Sequence, residues 1–279
     1  MPILGDYQST TSVGFIFGCI IGPLFIVLSL VYLYLKGSKG NDIYKNGTPS
    51  NYPVIVLCWR VVACVFCIVT LGYTFAPGDV FSLSYFTVWN WILVVFYFII
   101  STMVSVIRVF YPHTVETSTL SRVLLGIHQI TGEVEFPMSW LVAAVVWLYL
   151  APNAGWTFFT TYTSISQHAV NAVIMSIDFA VAGYGINPHH FPLVLIWPAL
   201  YVCWHLIGNA AYGLICYPFM KTDDPIFIGW VFGLALACQA FFWSAYGFSI
   251  LKRNGCACRK ATLPEEDDEM KADGKLSLV

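Results

Sequence analysis

The chain has 279 residues, 58% hydrophobic and 10% charged, with a formal net charge of −2. A water-soluble domain carries roughly a quarter charged residues, so there is too little polar surface here to coat one. The net charge says little about partners, but no basic patch suits nucleic acid, so no nucleic-acid partner is expected.

The apolar residues fall in long unbroken runs, and runs of about 20 residues match a bilayer core. Backbone groups in lipid must be satisfied within the protein, and runs that do not alternate select helices over barrel strands. Seven spans are expected: Gly14–Leu35, Pro53–Phe75, Ser84–Ile107, Val134–Leu150, Tyr162–Val181, Phe191–Tyr212 and Pro225–Leu251. The fold class is therefore all-α, a polytopic membrane helical bundle with seven transmembrane helices.

The first span carries Gly14, Gly18 and Gly22 on one face. Small residues at this spacing let helices approach closely, either within the bundle or in a homo-oligomer. The first connection contains the glycosylation sequon Asn46-Gly47-Thr48. Arg60 in the second span and Asp178 in the fifth are ionisable residues inside the membrane, where such groups are costly and usually have partners. Their matched depth predicts a structural ion pair.

Glu133 and Glu135 stand just before the apolar part of the fourth span. Ahead of them Leu120, Val123, Leu124 and Ile127 recur at helical spacing. That segment either lies along the membrane surface or extends the fourth span. In the fifth span His168 and Asn171 share a face. His189 and His190 follow at the opposite membrane side, and His205 lies in the sixth span. No spacing resembles a zinc motif, so neither a metal nor a cofactor is expected.

Lys36, Lys39, Lys45, Arg108, Arg122, Lys252, Arg253, Arg259 and Lys260 fall in alternate connections and the tail. The positive-inside rule then places the amino terminus outside or in a lumen, and the carboxyl terminus in the cytoplasm. The expected organisation is a membrane domain over residues 1–251 and a polar, disordered cytoplasmic tail over 252–279. Cys256 and Cys258 beside the last span are candidates for lipidation. The terminal Ser277-Leu278-Val279 fits a PDZ ligand pattern. Membrane lipids are the other expected partners, in the plasma membrane or the endomembrane system.

Trp59-Arg60, the run Tyr85-Phe86-Thr87-Val88-Trp89-Asn90, His168 with Asn171 and Asp178, His189-His190-Phe191-Pro192 and Tyr217-Pro218-Phe219 resemble the rolling stone family in order and spacing. That family is multi-pass and linked to myoblast fusion in insects. Phe136-Pro137 and the Tyr-Phe-Thr and Tyr-Pro-Phe segments are also similar to the related androgen-induced-gene family, over roughly Pro53 to Leu251. The second resemblance implies an intramembrane hydrolase of fatty acid esters of hydroxy fatty acids. Thr87 then takes the nucleophile position and His168 the first of two histidines, while Asn171 replaces the second, the family's base. An amide does not accept a proton near neutral pH, which favours the rolling stone reading, with no assigned molecular activity. A seven-span receptor is the third alternative. The third span ends Ser105-Val-Ile-Arg108 without the acidic–arginine pair of the large receptor class, and the last span has no lysine for a Schiff base.

Overall fold

A computed structural model describes residues 3–4, 13–36, 52–76, 78, 80–113, 118–182 and 184–261. It is a bundle of membrane-length helices. Six of them are long and apolar enough to cross a bilayer. They are α1 (Val13–Lys36), α2 (Pro53–Phe75), α3 (Phe86–Phe110), α4 (Thr119–Ala144, continued to Ala154), α7 (Leu193–Tyr212) and α8 (Ile226–Ala261). The expected fifth span is also helical throughout, but it is built in three pieces: α5 (Tyr162–Ile165), a wide π turn (Ser166–Val170) and α6 (Asn171–Val181). A two-residue antiparallel pairing, Ile3 with Ile215 and Leu4 with Leu214, is the one strand contact among the described residues.

Local chemistry explains the boundaries. Pro53 opens α2 at a position where its missing N–H costs nothing. Thr161 caps α5 by accepting from the Ser164 amide at 3.3 Å. Gly213, at φ 63°, ends α7 in the left-handed conformation and turns the chain into the segment that carries Tyr217.

Two results bear on the expected elements. The segment ahead of the fourth span extends that span, because α4 runs unbroken from Thr119. Glu133 and Glu135 are consequently not at the membrane edge; both side chains have zero exposure, inside the bundle. At the other end α8 continues as helix to Ala261, past the expected end at Leu251, so the first residues of the expected tail are helical. Residues 262–279, including the acidic run and Ser277-Leu278-Val279, lie outside the described residues, as do Asn46 and the side chains of Cys256 and Cys258.

The glycine face of α1 is used within the chain. A Cβ on Gly14 would stand 2.3 Å from the Thr222 carbonyl oxygen, one on Gly18 2.8 Å from Leu206, and one on Gly22 2.9 Å from the Cys203 sulfur. α1 thus packs backbone-close against α7 and the segment that leads into α8. Its other faces present Ile16, Ile20, Leu24, Leu28 and Val31 outward, as lipid requires.

Candidate functional site

Two regions inside the bundle carry chemistry, at opposite ends. The first lies toward the end where α2 begins and α8 carries Lys252. Arg60 donates from Nε to Asp178 Oδ1 at 2.8 Å and from Nη2 to Oδ2 at 3.0 Å, a bidentate pair with side chains 2% and 0% exposed. Its Nη1 donates to the Ser105 hydroxyl at 2.9 Å and the Ser101 carbonyl at 3.3 Å. Tyr97 donates its hydroxyl to Asp178 and meets the Tyr184 hydroxyl at 3.0 Å. Each charge is therefore surrounded by matching donors or acceptors, the condition under which an ion pair survives in low dielectric.

Gly132 makes this arrangement possible. A Cβ there would stand 2.1 Å from the Tyr184 hydroxyl and 3.0 Å from the Tyr97 ring. One residue on, Glu133 accepts from the Gln129 amide at 2.9 Å and the Asn187 backbone N–H at 2.8 Å, and its other oxygen meets His190 Nδ1 at 2.5 Å. Lys252 donates to the carbonyls of Phe179, Ala182 and Tyr184, closing the end of α6 where Asp178 sits. Sequence gives no sign of Gln129 or Tyr184, and marks Glu133 only as standing before the apolar part of the fourth span. An acidic residue in a long helical pattern becomes a membrane ionisable group once the span extends back to Thr119.

The second region is a cavity at the opposite end, among α1, the start of α3, the outer part of α4, α7 and α8. Its volume is about 110 Å³, it is partly open to the surroundings, and its walls are almost wholly apolar. Thr87 and Phe86 line it from α3, Val145, Val146 and Leu150 from the second π turn in the bundle, and Tyr217 and Phe219 from the connection after Gly213. That connection is held in place by His205, whose Nε2 meets the Met220 carbonyl at 3.1 Å, and by stacking of Tyr217 on Phe219 at 5.2 Å. Beside them Tyr201 donates to the Ser84 carbonyl at 2.7 Å.

The Tyr217 hydroxyl is buried and makes no hydrogen bond of good geometry; the Thr87 side chain and the Phe86 and Thr87 backbone are the polar groups beside it. A buried hydroxyl without a partner costs free energy, so this cavity wall carries an unmet polar demand.

Thr87 and His168 are not brought to one cavity. His168 is absent from the cavity walls; it lies in the π turn of the fifth span, with Nδ1 3.0 Å from the Ser164 hydroxyl and its ring against Phe159. Asn171, a turn further on, lies against the Glu135 carboxyl, which accepts from Asn90 Nδ2 at 2.6 Å. Among the described residues no three His, Cys, Asp or Glu side chains are grouped as metal ligands.

Architecture defines the class: a multi-pass, all-helical protein with the dimensions and apolarity of an integral membrane protein. No protein-family profile, curated protein or solved structure matches the chain.

Proposed function

We propose that this membrane protein holds the acyl chain of a lipid in the cavity between α1, α7 and α8, and that it acts by binding rather than hydrolysis. The cavity is the observation that carries the reading. Its walls are apolar and its surroundings are lipid, so an acyl chain is the one abundant ligand that fits without desolvation cost. The Tyr217 hydroxyl and Thr87 offer a hydrogen-bonding pair to an ester, carboxyl or hydroxyl group at one end. The resemblance to rolling stone proteins adds a role in membrane or cell–cell processes, in the plasma membrane or an endomembrane. The distribution of basic residues supports an outside or lumenal amino terminus, which puts the cavity in the outer half of the bilayer.

A second reading, the threonine hydrolase of fatty acid esters of hydroxy fatty acids, is favoured by the position of Thr87 on the cavity wall. Against it stand Asn171 in the place of a base and the His168 ring hydrogen-bonded to Ser164.

Purified protein would be analysed by native mass spectrometry and lipid extraction, then incubated with fatty acid esters of hydroxy fatty acids. The binding reading expects a retained lipid in the wild type, lost when Val202→Trp fills the cavity, and no turnover. Turnover abolished by Thr87→Ala would establish the hydrolase instead. Equal lipid content in Val202→Trp and wild type would remove the cavity as the binding site.

A further inference from the structure

Glu135, Asn90 and Asn171 come from α4, α3 and α6 and meet inside the bundle, apart from both the Arg60–Asp178 pair and the His190–Glu133 pair. Their side chains are 0%, 0% and 1% exposed. The Asn90 amide donates to Glu135 Oε1 at 2.6 Å, and the Asn171 amide group lies against the same carboxyl while donating to the Gln167 carbonyl at 3.4 Å. Each of the three side chains keeps one oxygen with no donor: Glu135 Oε2, Asn90 Oδ1 and Asn171 Oδ1. Buried acceptors in a native core are almost always satisfied, so three orphans on three touching side chains require an explanation.

The charge is unmet as well. Among the described residues no lysine, arginine or histidine pairs with Glu135, whereas Arg60 holds Asp178 and His190 meets Glu133. An uncompensated carboxylate inside a membrane bundle is among the most costly groups a protein can carry. A proton would remove the charge, but a single O–H serves a single acceptor and leaves another amide oxygen orphaned. A cation removes the charge and serves all three oxygens together. One carboxylate balances one positive charge, and carboxylate and amide oxygens are the ligands of hard cations.

We propose that Glu135, Asn90 and Asn171 form a binding site for a small monovalent cation, sodium being the probe of choice. Asn90 stands one helical turn from the cavity-lining Thr87 on α3. An ion there fixes α3, α4 and α6 to one another. The proposal does not depend on what the cavity holds.

The test uses the full chain in detergent, with choline exchanged for sodium at constant ionic strength and thermal unfolding recorded. The melting temperature should rise saturably with sodium, by about 5 °C at saturation. Glu135→Gln, which keeps the shape and removes the charge, should abolish the rise. Equilibrium binding of radioactive sodium to the wild type gives a second readout that needs no variant, and one ion per chain is expected. Coincident choline and sodium curves with no saturable radioactive binding would overturn the site. So would a sodium-dependent rise that Glu135→Gln retains in full. A stability that follows pH but not sodium would assign the neutralising role to a proton and overturn it equally.

Discussion

The two ends of this bundle solve the problem of polarity inside a membrane in opposite ways. Around Asp178, Arg60 and Tyr97 provide donors for a charge that has no access to water, Ser105 accepts from Arg60, and Gly132 is kept bare to let Tyr184 in. Around Thr87 the walls are apolar, space is left empty, and the Tyr217 hydroxyl goes without a partner. A satisfied polar cluster fixes a structure, whereas an empty apolar space with an unmet hydroxyl is a place for something that arrives later. The contrast assigns stability to one end and ligand binding to the other.

The largest expected effect lies at the Arg60 end. Arg60→Leu and Asp178→Leu should each cost about 3–5 kcal/mol, because each strands the opposite charge in low dielectric. The double substitution should recover part of that loss in a reversible unfolding measurement. Losses that simply add would show two independent charges and break the comparison.

Close packing gives the next effect. Gly132→Ala drives a methyl group into the Tyr184 hydroxyl, and Gly14→Ala drives one into the Thr222 carbonyl. Each should cost about 1–3 kcal/mol, while Ile20→Ala on the lipid-facing side of α1 should change little. Equal effects at Gly14 and Ile20 would show that α1 is not seated on α7 as described.

The most discriminating pair removes a hydroxyl at each end, and holds the smallest effect. Tyr97→Phe loses a hydrogen bond to a charged carboxylate, worth about 1.5–3 kcal/mol. Tyr217→Phe removes a buried hydroxyl that lacks a well-formed hydrogen bond, and should leave stability unchanged or raise it. A large loss in Tyr217→Phe would mean that the cavity end is as tightly determined as the other.

The sequence carries much of this and misses a specific part. Unbroken apolar runs mark helices to within a few residues, as in Pro53–Phe75 and the shared end at Tyr212. Arg60 and Asp178 stand out because charges are rare in such runs, and the structure sets them 2.8 Å apart. The burial of Glu133 and Glu135 is hidden because hydropathy drops where polar residues cluster: the expected span Val134–Leu150 leaves Glu133 outside and puts Glu135 at its edge. Glu135 meets Asn90 and Asn171, and Glu133 meets Asn187 and His190, through contacts between segments far apart in the chain, which no local pattern encodes. The cavity was invisible for the same reason: its wall residues are the same leucines and valines that face lipid elsewhere. Thr87 and His168 are single residues on separate helices, and a motif gives their order along the chain but not the direction each side chain takes.

The assignment of the cavity to a lipid is tested most directly by photo-crosslinking. The protein would be purified from cells fed a photoactivatable, clickable fatty acid, irradiated, digested and mapped by mass spectrometry. Labels should concentrate on cavity-lining positions such as Val202 and Leu234, and should fall when Val202→Trp occupies the space. Labels confined to outward-facing residues such as Leu236 and Phe248, unchanged by that substitution, would contradict it.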